Sequence, residues 1–183
     1  MTSVIETARL TLRPHVLADF ADCTAMWADP DVTRYIGGRP LTQEEVWTRL
    51  LRYAGHWSLL GFGFWAVIEK ATGEYIGDIG FADFKRDIDP PLTVPEIGWA
   101  LASRAHGKGY ATEAIGAALA WGDAHFSSTQ TTCLIHPENL ASLRIAAKCG
   151  FREVRRSRYK DHTTIVFTRD QHSEHSDSHS EPR

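Results

Sequence analysis

From Arg9 to Arg13 apolar and polar side chains alternate, and the alternation stops at Pro14, which is the pattern of a short strand. Over residues 17–27 the positions Leu17, Phe20, Ala21, Thr24 and Trp27 recur at helical spacing. Thr42 followed three residues later by Glu45 is a capping box, predicting a helix to about Trp57, before Gly61 and Gly63. Strand-like runs follow at Phe64–Glu69, 75–81 and Glu96–Leu101, the first two joined by a turn at Lys70-Ala71-Thr72-Gly73. Positions 111, 114, 115, 118, 119 and 122 form one buried face of a helix over 111–126. A strand at 131–136, a helix over 139–149 closed by Gly150, and two further strands complete the series. Strands mixed with crossover helices predict a mixed sheet in an α+β or layered α/β architecture, not a strictly alternating doubly wound one.

Composition narrows the classes of function. The 183 residues are 43% apolar and 23% charged, as in an ordinary globular domain. Twenty basic against 23 acidic residues give a net charge of −3, which argues against a nucleic-acid-binding domain. No apolar run approaches the roughly 18 residues of a membrane span. Glu6 and Arg9 stand where a signal peptide would need an apolar core, so the expectation is a cytoplasmic protein with no membrane partner. Residues 171–183 contain no apolar side chain and are rich in His, Ser and acid, so a single domain over 1–170 with a disordered tail is expected. The tail holds three acids and one Arg, leaving a nearly neutral body of 20 acids against 19 bases. Cys23, Cys133 and Cys149 are too widely spaced for a zinc knuckle or disulfide framework, and no metal is expected.

The most informative segment runs from the strand Glu96–Leu101 through Arg104-Ala105-His106-Gly107-Lys108-Gly109 into a helix. Gly107 and Gly109 permit positive φ and a close approach to a ligand. The free amides and dipole of the following helix favour a phosphate, and Arg104 and Lys108 add positive charge. A dinucleotide fingerprint would need glycine at Thr112, and a P-loop would need Ser or Thr after Lys108; neither is present.

The spacing Arg104-x-x-Gly107-x-Gly109 resembles the R/Q-x-x-G-x-G/A motif of the GNAT superfamily of N-acetyltransferases. Further matches are Arg9-Leu10-x-Leu12-Arg13, Pro95-Glu96-Ile97-Gly98-Trp99, Gly109-Tyr110-Ala111-Thr112-Glu113-Ala114, Asn139-x-x-Ser142 and Lys148-x-Gly150-Phe151. Together they span residues 7–169 and most resemble the branch of ribosomal-protein-alanine N-acetyltransferases. The resemblance implies a mostly antiparallel sheet of about seven strands, flanked by about four helices and containing a splayed parallel pair. It implies acetyl-CoA as cosubstrate, its pantetheine arm pairing with Trp99, Ala100 and Leu101. The pyrophosphate would be held by the segment His106, Gly107, Lys108, Gly109, Tyr110 and Ala111, beside Arg104, and Asn139 would bond the cofactor.

Within that frame two residues are catalytic candidates. Ser142, on the helical face of Asn139, would hydrogen-bond the departing thiolate, although a serine in a first helical turn also serves as a plain backbone partner. Glu96 is the candidate base, the alternative being a structural ion pair. The family's tyrosine acid position holds Ala146, and the glutamate base of some protein N-terminal acetyltransferases is replaced by Leu134. Deprotonating a lysine amine of pKa about 10.4 near pH 7.5 costs about 4 kcal/mol, whereas an α-amine of about 7.7–8.0 costs under about 1 kcal/mol. A weak base therefore suits a protein N-terminus or a small-molecule amine.

Acceptor specificity is expected from residues 29–65 and 83–94, with Trp27, Tyr35, Trp57 and Trp65 as wall candidates. Asp78, Asp83, Asp87 and Asp89 are either attractors of a cationic acceptor or, the favoured reading, solvated loop charge. Two other functions stay open: a detoxifying acetyltransferase acting on an antibiotic or an amino-acid analogue, and a CoA-binding sensor without turnover. Oligomeric state is not written in the sequence, and a homodimer stays open. Cys149 is expected to be a buried thiol without chemistry.

Overall fold

A computed structural model describes residues 3–171. Residues 172–183, most of the tail, lie outside it. The chain opens with strands β1 (Ile5–Glu6) and β2 (Leu10–Arg13), followed by a 3-10 turn, Leu17–Asp19. Helices α1 (Phe20–Trp27), α2 (Pro30–Thr33) and α3 (Gln43–Leu60) come next. Strands β3 (Phe64–Glu69), β4 (Tyr75–Ala82) and β5 (Glu96–Leu101) lead to helix α4 (Tyr110–His125). Strand β6 (Gln130–Ile135), helix α5 (Leu140–Lys148) and strands β7 (Arg152–Tyr159) and β8 (His162–Asp170) finish the domain.

The strands form one eight-stranded sheet in the order β1-β2-β3-β4-β5-β6-β8-β7. Every neighbouring pair is antiparallel except β5 with β6. That parallel pair has a single register contact, Glu96 opposite Thr132, fixed by the Thr132 amide on the Pro95 carbonyl at 2.9 Å. β5 is meanwhile zipped to β4 from Ala82↔Glu96 to Gly77↔Leu101, and β6 to β8 along its whole length. Two strands anchored on their outer sides and tied at one end must diverge at the other, so the sheet opens into a cleft.

The main core lies on one face of the sheet, where Ala114, Ile115, Ala118 and Leu119 of α4 pack on Leu12, Trp65 and Phe81. The apolar face expected for α4 is the buried one, with Ala111 half-buried. A second cluster on the opposite face joins Cys23, Met26 and Trp27 to Val46 and Leu50.

Three local expectations change. The helical face of 17–27 is rotated: Leu17 is exposed, and the buried residues are Asp19 in the 3-10 turn and Cys23, Met26 and Trp27 in α1. The 3-10 turn before Phe20 breaks the period that a continuous helix would keep. β1 and α2 are too short to leave a periodic signature; α2 is started by the Asp29 carboxylate accepting from the Asp31 amide, with Pro30 in its first turn. α3 runs three residues past Trp57, to Leu60.

Candidate active site

Between the diverging strands lies a cleft of about 670 Å³. One side is Ile97–Ala100 of β5 and the other is Leu134 to His136, at the end of β6. Asn139 and Ser142, at the start of α5, sit in its wall. α1, α3 and the loop after β4 close it from above through Trp27, Arg49, Tyr53, Phe84 and Arg86.

Asn139 is the N-cap of α5, its Oδ1 accepting from the Ser142 amide at 3.1 Å. The cap uses only the oxygen, so the amide nitrogen of Asn139 keeps its donors. Ser142 Oγ accepts from the indole Nε1 of Trp99 at 3.2 Å, across the mouth between β5 and α5. A hydroxyl that accepts from an indole keeps its own proton for another acceptor. Trp99 and Ser142, predicted to serve cofactor and leaving group separately, are thus one hydrogen-bonded unit.

Glu96 is buried at the start of β5, and both its oxygens face Arg86: Oε1 at 2.6 Å from one terminal nitrogen and Oε2 at 2.7 Å from Nε. The Arg86 guanidinium is held above its ordinary pKa; burial opposes this, and the hydrogen bonds and charge of Glu96 outweigh it. Glu96 therefore lines the cleft as half of a bidentate pair.

At the far end of β5 the chain makes the expected loop. Gly107 and Gly109 both lie in the left-handed region, at φ 75° and 79°, and Gly109 is the N-cap of α4. Arg9 braces this turn, donating to the Lys108 carbonyl at 2.8 Å and pairing with Glu113 of α4 at 2.7 Å. A Cβ on Gly109 would stand 3.4 Å from the Arg9 guanidinium. The amides from Gly107 to Ala111 have no backbone acceptor among the described residues, whereas the His106 amide is committed to the Ser103 carbonyl at 3.1 Å. The His106 ring donates to the Leu101 carbonyl at 2.9 Å, and the Tyr110 hydroxyl donates to Glu69. Arg104, also exposed, donates to the Tyr75 carbonyl and pairs with Glu74 at 3.5 Å, so it anchors the loop, whereas Lys108 forms no ion pair among the described residues. Ala100 and Leu101 are buried, their backbones in register with β4.

Of the four aromatic wall candidates, Trp27 and Tyr35 line the cleft. Trp65 is fully buried, and Trp57 packs on it while its indole donates to the Phe64 carbonyl at 3.0 Å. The four aspartates do not line it. Asp78 is not solvated loop charge but is buried in β4, accepting from His15 (2.7 Å), Trp27 (2.9 Å) and Tyr75 (2.6 Å). Asp83 pairs with Lys85 at 2.6 Å, and Asp87 and Asp89 are exposed. Cys149 is half-buried, its thiol pushed up by burial. His15, Cys23 and Asp78 offer three ligand atoms within 4.8 Å, but Asp78 is spent on hydrogen bonds and burial pushes the Cys23 thiol up to about 12.

The sequence reading missed Arg49, Arg52 and Arg86. Arg49 and Arg52 lie three apart on α3, a spacing that puts them on one helical face, and this was their only linear signal. His136 was also missed: it lines the cleft with its Nδ1 accepting from the Glu138 amide, which leaves Nε2 as the proton-bearing nitrogen of the neutral ring.

A strand splayed from a parallel neighbour, running into a glycine turn and a helix N-terminus, is the arrangement of an acyl-CoA-using transferase. Residues 9–152 match the model of the acetyltransferase (GNAT) domain, and the chain belongs to that family of N-acetyltransferases. It is 30% identical over 148 residues to the uncharacterized N-acetyltransferase p20 of Bacillus licheniformis, covering 80% of this chain and 81% of that protein. It superposes on the acetyltransferase from Agrobacterium tumefaciens with a TM-score of 0.80 at 28% identity, covering 92% and 95% of the two chains. RimL, a ribosomal L7/L12 alpha-N-protein acetyltransferase solved in complex with Coenzyme A, shares the fold at a TM-score of 0.74 and 14% identity, covering 92% and 98%. The eight strands, one more than expected, and the single parallel pair agree with this membership. Among the described residues no helix is long and apolar enough to cross a membrane.

Proposed function

We propose that the cleft transfers an acetyl group from acetyl-CoA to a primary amine on a small molecule or a protein N-terminus. The observation that carries this is the edge of β5 beyond Glu96, which has no partner in β6 and leads directly to the uncommitted amides of Gly107 to Ala111. An extended polar arm ending in a pyrophosphate fits that edge and that turn. Trp99, Ala100 and Leu101 offer the strand edge, Gly107 to Ala111 with Lys108 the anion cradle, and Asn139 its free amide nitrogen. That RimL, which shares this fold, was solved in complex with Coenzyme A supports CoA as the ligand class.

Acetyl-CoA supplies an activated thioester. Ser142 holds a hydroxyl proton toward the sulfur that must leave, with Trp99 fixing its oxygen. Glu96 takes up the amine proton by way of water, through lone pairs that Arg86 does not use. This relay is weak, and it suits an amine that loses its proton readily.

Calorimetry with acetyl-CoA and thiol release against amino acids, N-terminal peptides, polyamines and aminoglycosides test the reading. Binding together with turnover of at least one amine is expected. No affinity for acetyl-CoA or CoA would overturn the reading, and binding without any turnover would make the chain a CoA sensor. Ser142→Ala and Glu96→Gln are each expected to lower kcat by about tenfold or more, with a smaller change in acetyl-CoA affinity. An unchanged kcat in both removes the two assignments.

A further inference from the structure

The wall of the cleft facing β5 carries cations that no protein carboxylate neutralises. Arg39 is matched by Glu45 at 2.5 Å and Arg86 by Glu96 at 2.6 Å. Arg49 and Arg52, which line the same cleft, form no ion pair among the described residues. Arg49 sits over the Trp27 ring, its Cζ 3.9 Å from the centroid, and donates to the Tyr53 hydroxyl at 3.1 Å; its buried Nε has no partner among the described residues. The nearest acid behind it, Asp78, has its oxygens occupied by His15, Tyr75 and Trp27. Arg52 sits 4.9 Å from the Phe84 centroid, with Arg86 at 4.6 Å from the same ring, and it makes no side-chain hydrogen bond.

Two unmatched guanidinium groups on one helix repel each other, and Arg52 is held below its ordinary pKa by desolvation and by the charge of Arg49. An arrangement that raises local positive potential is relieved by an anion entering from solvent. A continuous aromatic path joins the pair to the cofactor strand. The Tyr53 ring, beside Arg49, stacks on Phe64 at 4.6 Å, and the tip of Phe64 would lie 3.1 Å from a Cβ at Gly98. The cations therefore stand only two rings from β5, within the span of one small molecule.

Resting on the acetyltransferase reading of this cleft, we infer that its acceptor is a small amine carrying its own anion, a carboxylate or a phosphonate, which docks on Arg49 and Arg52 while the amine points at β5. The wall discriminates against polyamines and aminoglycosides, whose charges it repels. An anionic acceptor is the opposite of the cationic one that was the less favoured reading of the aspartates 78, 83, 87 and 89.

Matched pairs differing only in charge test the inference: amino acids against their own carboxamides, aminoalkylphosphonates against their neutral esters, and spermidine as the polycation. Thiol release and binding, the latter read by thermal shift in the presence of CoA, are measured for each. The anionic member is expected to be favoured by about tenfold or more at low ionic strength, with the preference shrinking as salt rises. Arg52→Gln and Arg49→Gln should each reduce that ratio toward unity while the protein still binds acetyl-CoA by calorimetry and stays folded by circular dichroism. Equal or better use of the neutral member or of spermidine, or a preference unchanged in Arg52→Gln, overturns the inference. If acetyl-CoA does not bind at all, the acetyltransferase reading itself has failed, an outcome distinct from turnover of neutral amines.

Discussion

Ser142 shows how a poor proton donor is prepared by its neighbours. Its amide is used by Asn139 and its oxygen by Trp99, so the hydroxyl proton is the one group left to face the cleft. Removing the Trp99 donor leaves that oxygen free to rotate its proton away. Trp99→Phe is therefore expected to lower kcat less than Ser142→Ala does, and Ser142→Ala in the Trp99→Phe background should cost less than in the native chain. Additive losses in this double-mutant cycle would show that the two residues act independently. The pair was half legible: Asn139-x-x-Ser142 is a linear spacing, whereas the indole comes from a strand 43 positions earlier. The Glu96 candidate shows the opposite case, since nothing in its local sequence says that the loop folds Arg86 back onto both its oxygens.

Among the elements, the glycine turn is clamped by the distant connection between β1 and β2. Glu113, in the first turn of α4, accepts from the Thr7 hydroxyl at 2.7 Å and the Arg9 amide at 2.9 Å, and pairs with the Arg9 side chain. Burial pushes Glu113 up, but these partners hold it below the usual carboxylate range. Glu113→Gln keeps the shape and removes the charge, so it is expected to raise the KM for acetyl-CoA several-fold with little change in kcat. A changed kcat with an unchanged KM would deny the clamp its positioning role. Element positions were largely legible because β3 and β5 carry strong periodic signals and Thr42-x-x-Glu45 marks a helix start. The turn from 3-10 to α at Phe20 was not, since it shifts the buried face of α1 while leaving every residue type plausible for either face.

Considered whole, the domain is nearly neutral but its balance is held by buried carboxylates. Asp19 accepts a bidentate Arg13 at 2.7 and 2.8 Å together with the Val16 amide, and Asp78 is enclosed by His15, Tyr75 and Trp27. Burial raises both pKa values, but the partners outweigh it and both lie below the ordinary 3.8. A lowered folded pKa favours the charged form, so this stability is present above the ordinary carboxylate value and is lost as pH falls through the lower folded values. Thermal melts from pH 7 to pH 2 should hold a plateau and then drop below about pH 4. Asp19→Asn should lower Tm at neutral pH, costing about 1–3 kcal/mol, and should flatten the acid limb. A native acid limb retained in Asp19→Asn would assign it to other groups. Charge totals gave no hint that Asp78 is buried, because burial of an acid is decided by what the sheet brings around it.

The edge of β5 that faces β6 is, beyond Glu96, a row of backbone groups without a partner strand, yet it lies in the middle of the sheet. Exposed rows of this kind ordinarily recruit other chains, but here β6 is tied across from it at Glu96 and Thr132, so a second sheet cannot enter the gap. A thin extended molecule still can. On the proposed reading, occupancy finishes the sheet, so enzyme architecture and substrate saturation become one thermodynamic quantity: the cleft-facing amides of Trp99 and Leu101 should exchange with solvent faster in the free protein and slow as CoA is added, tracking a rise in Tm that grows with the logarithm of ligand concentration.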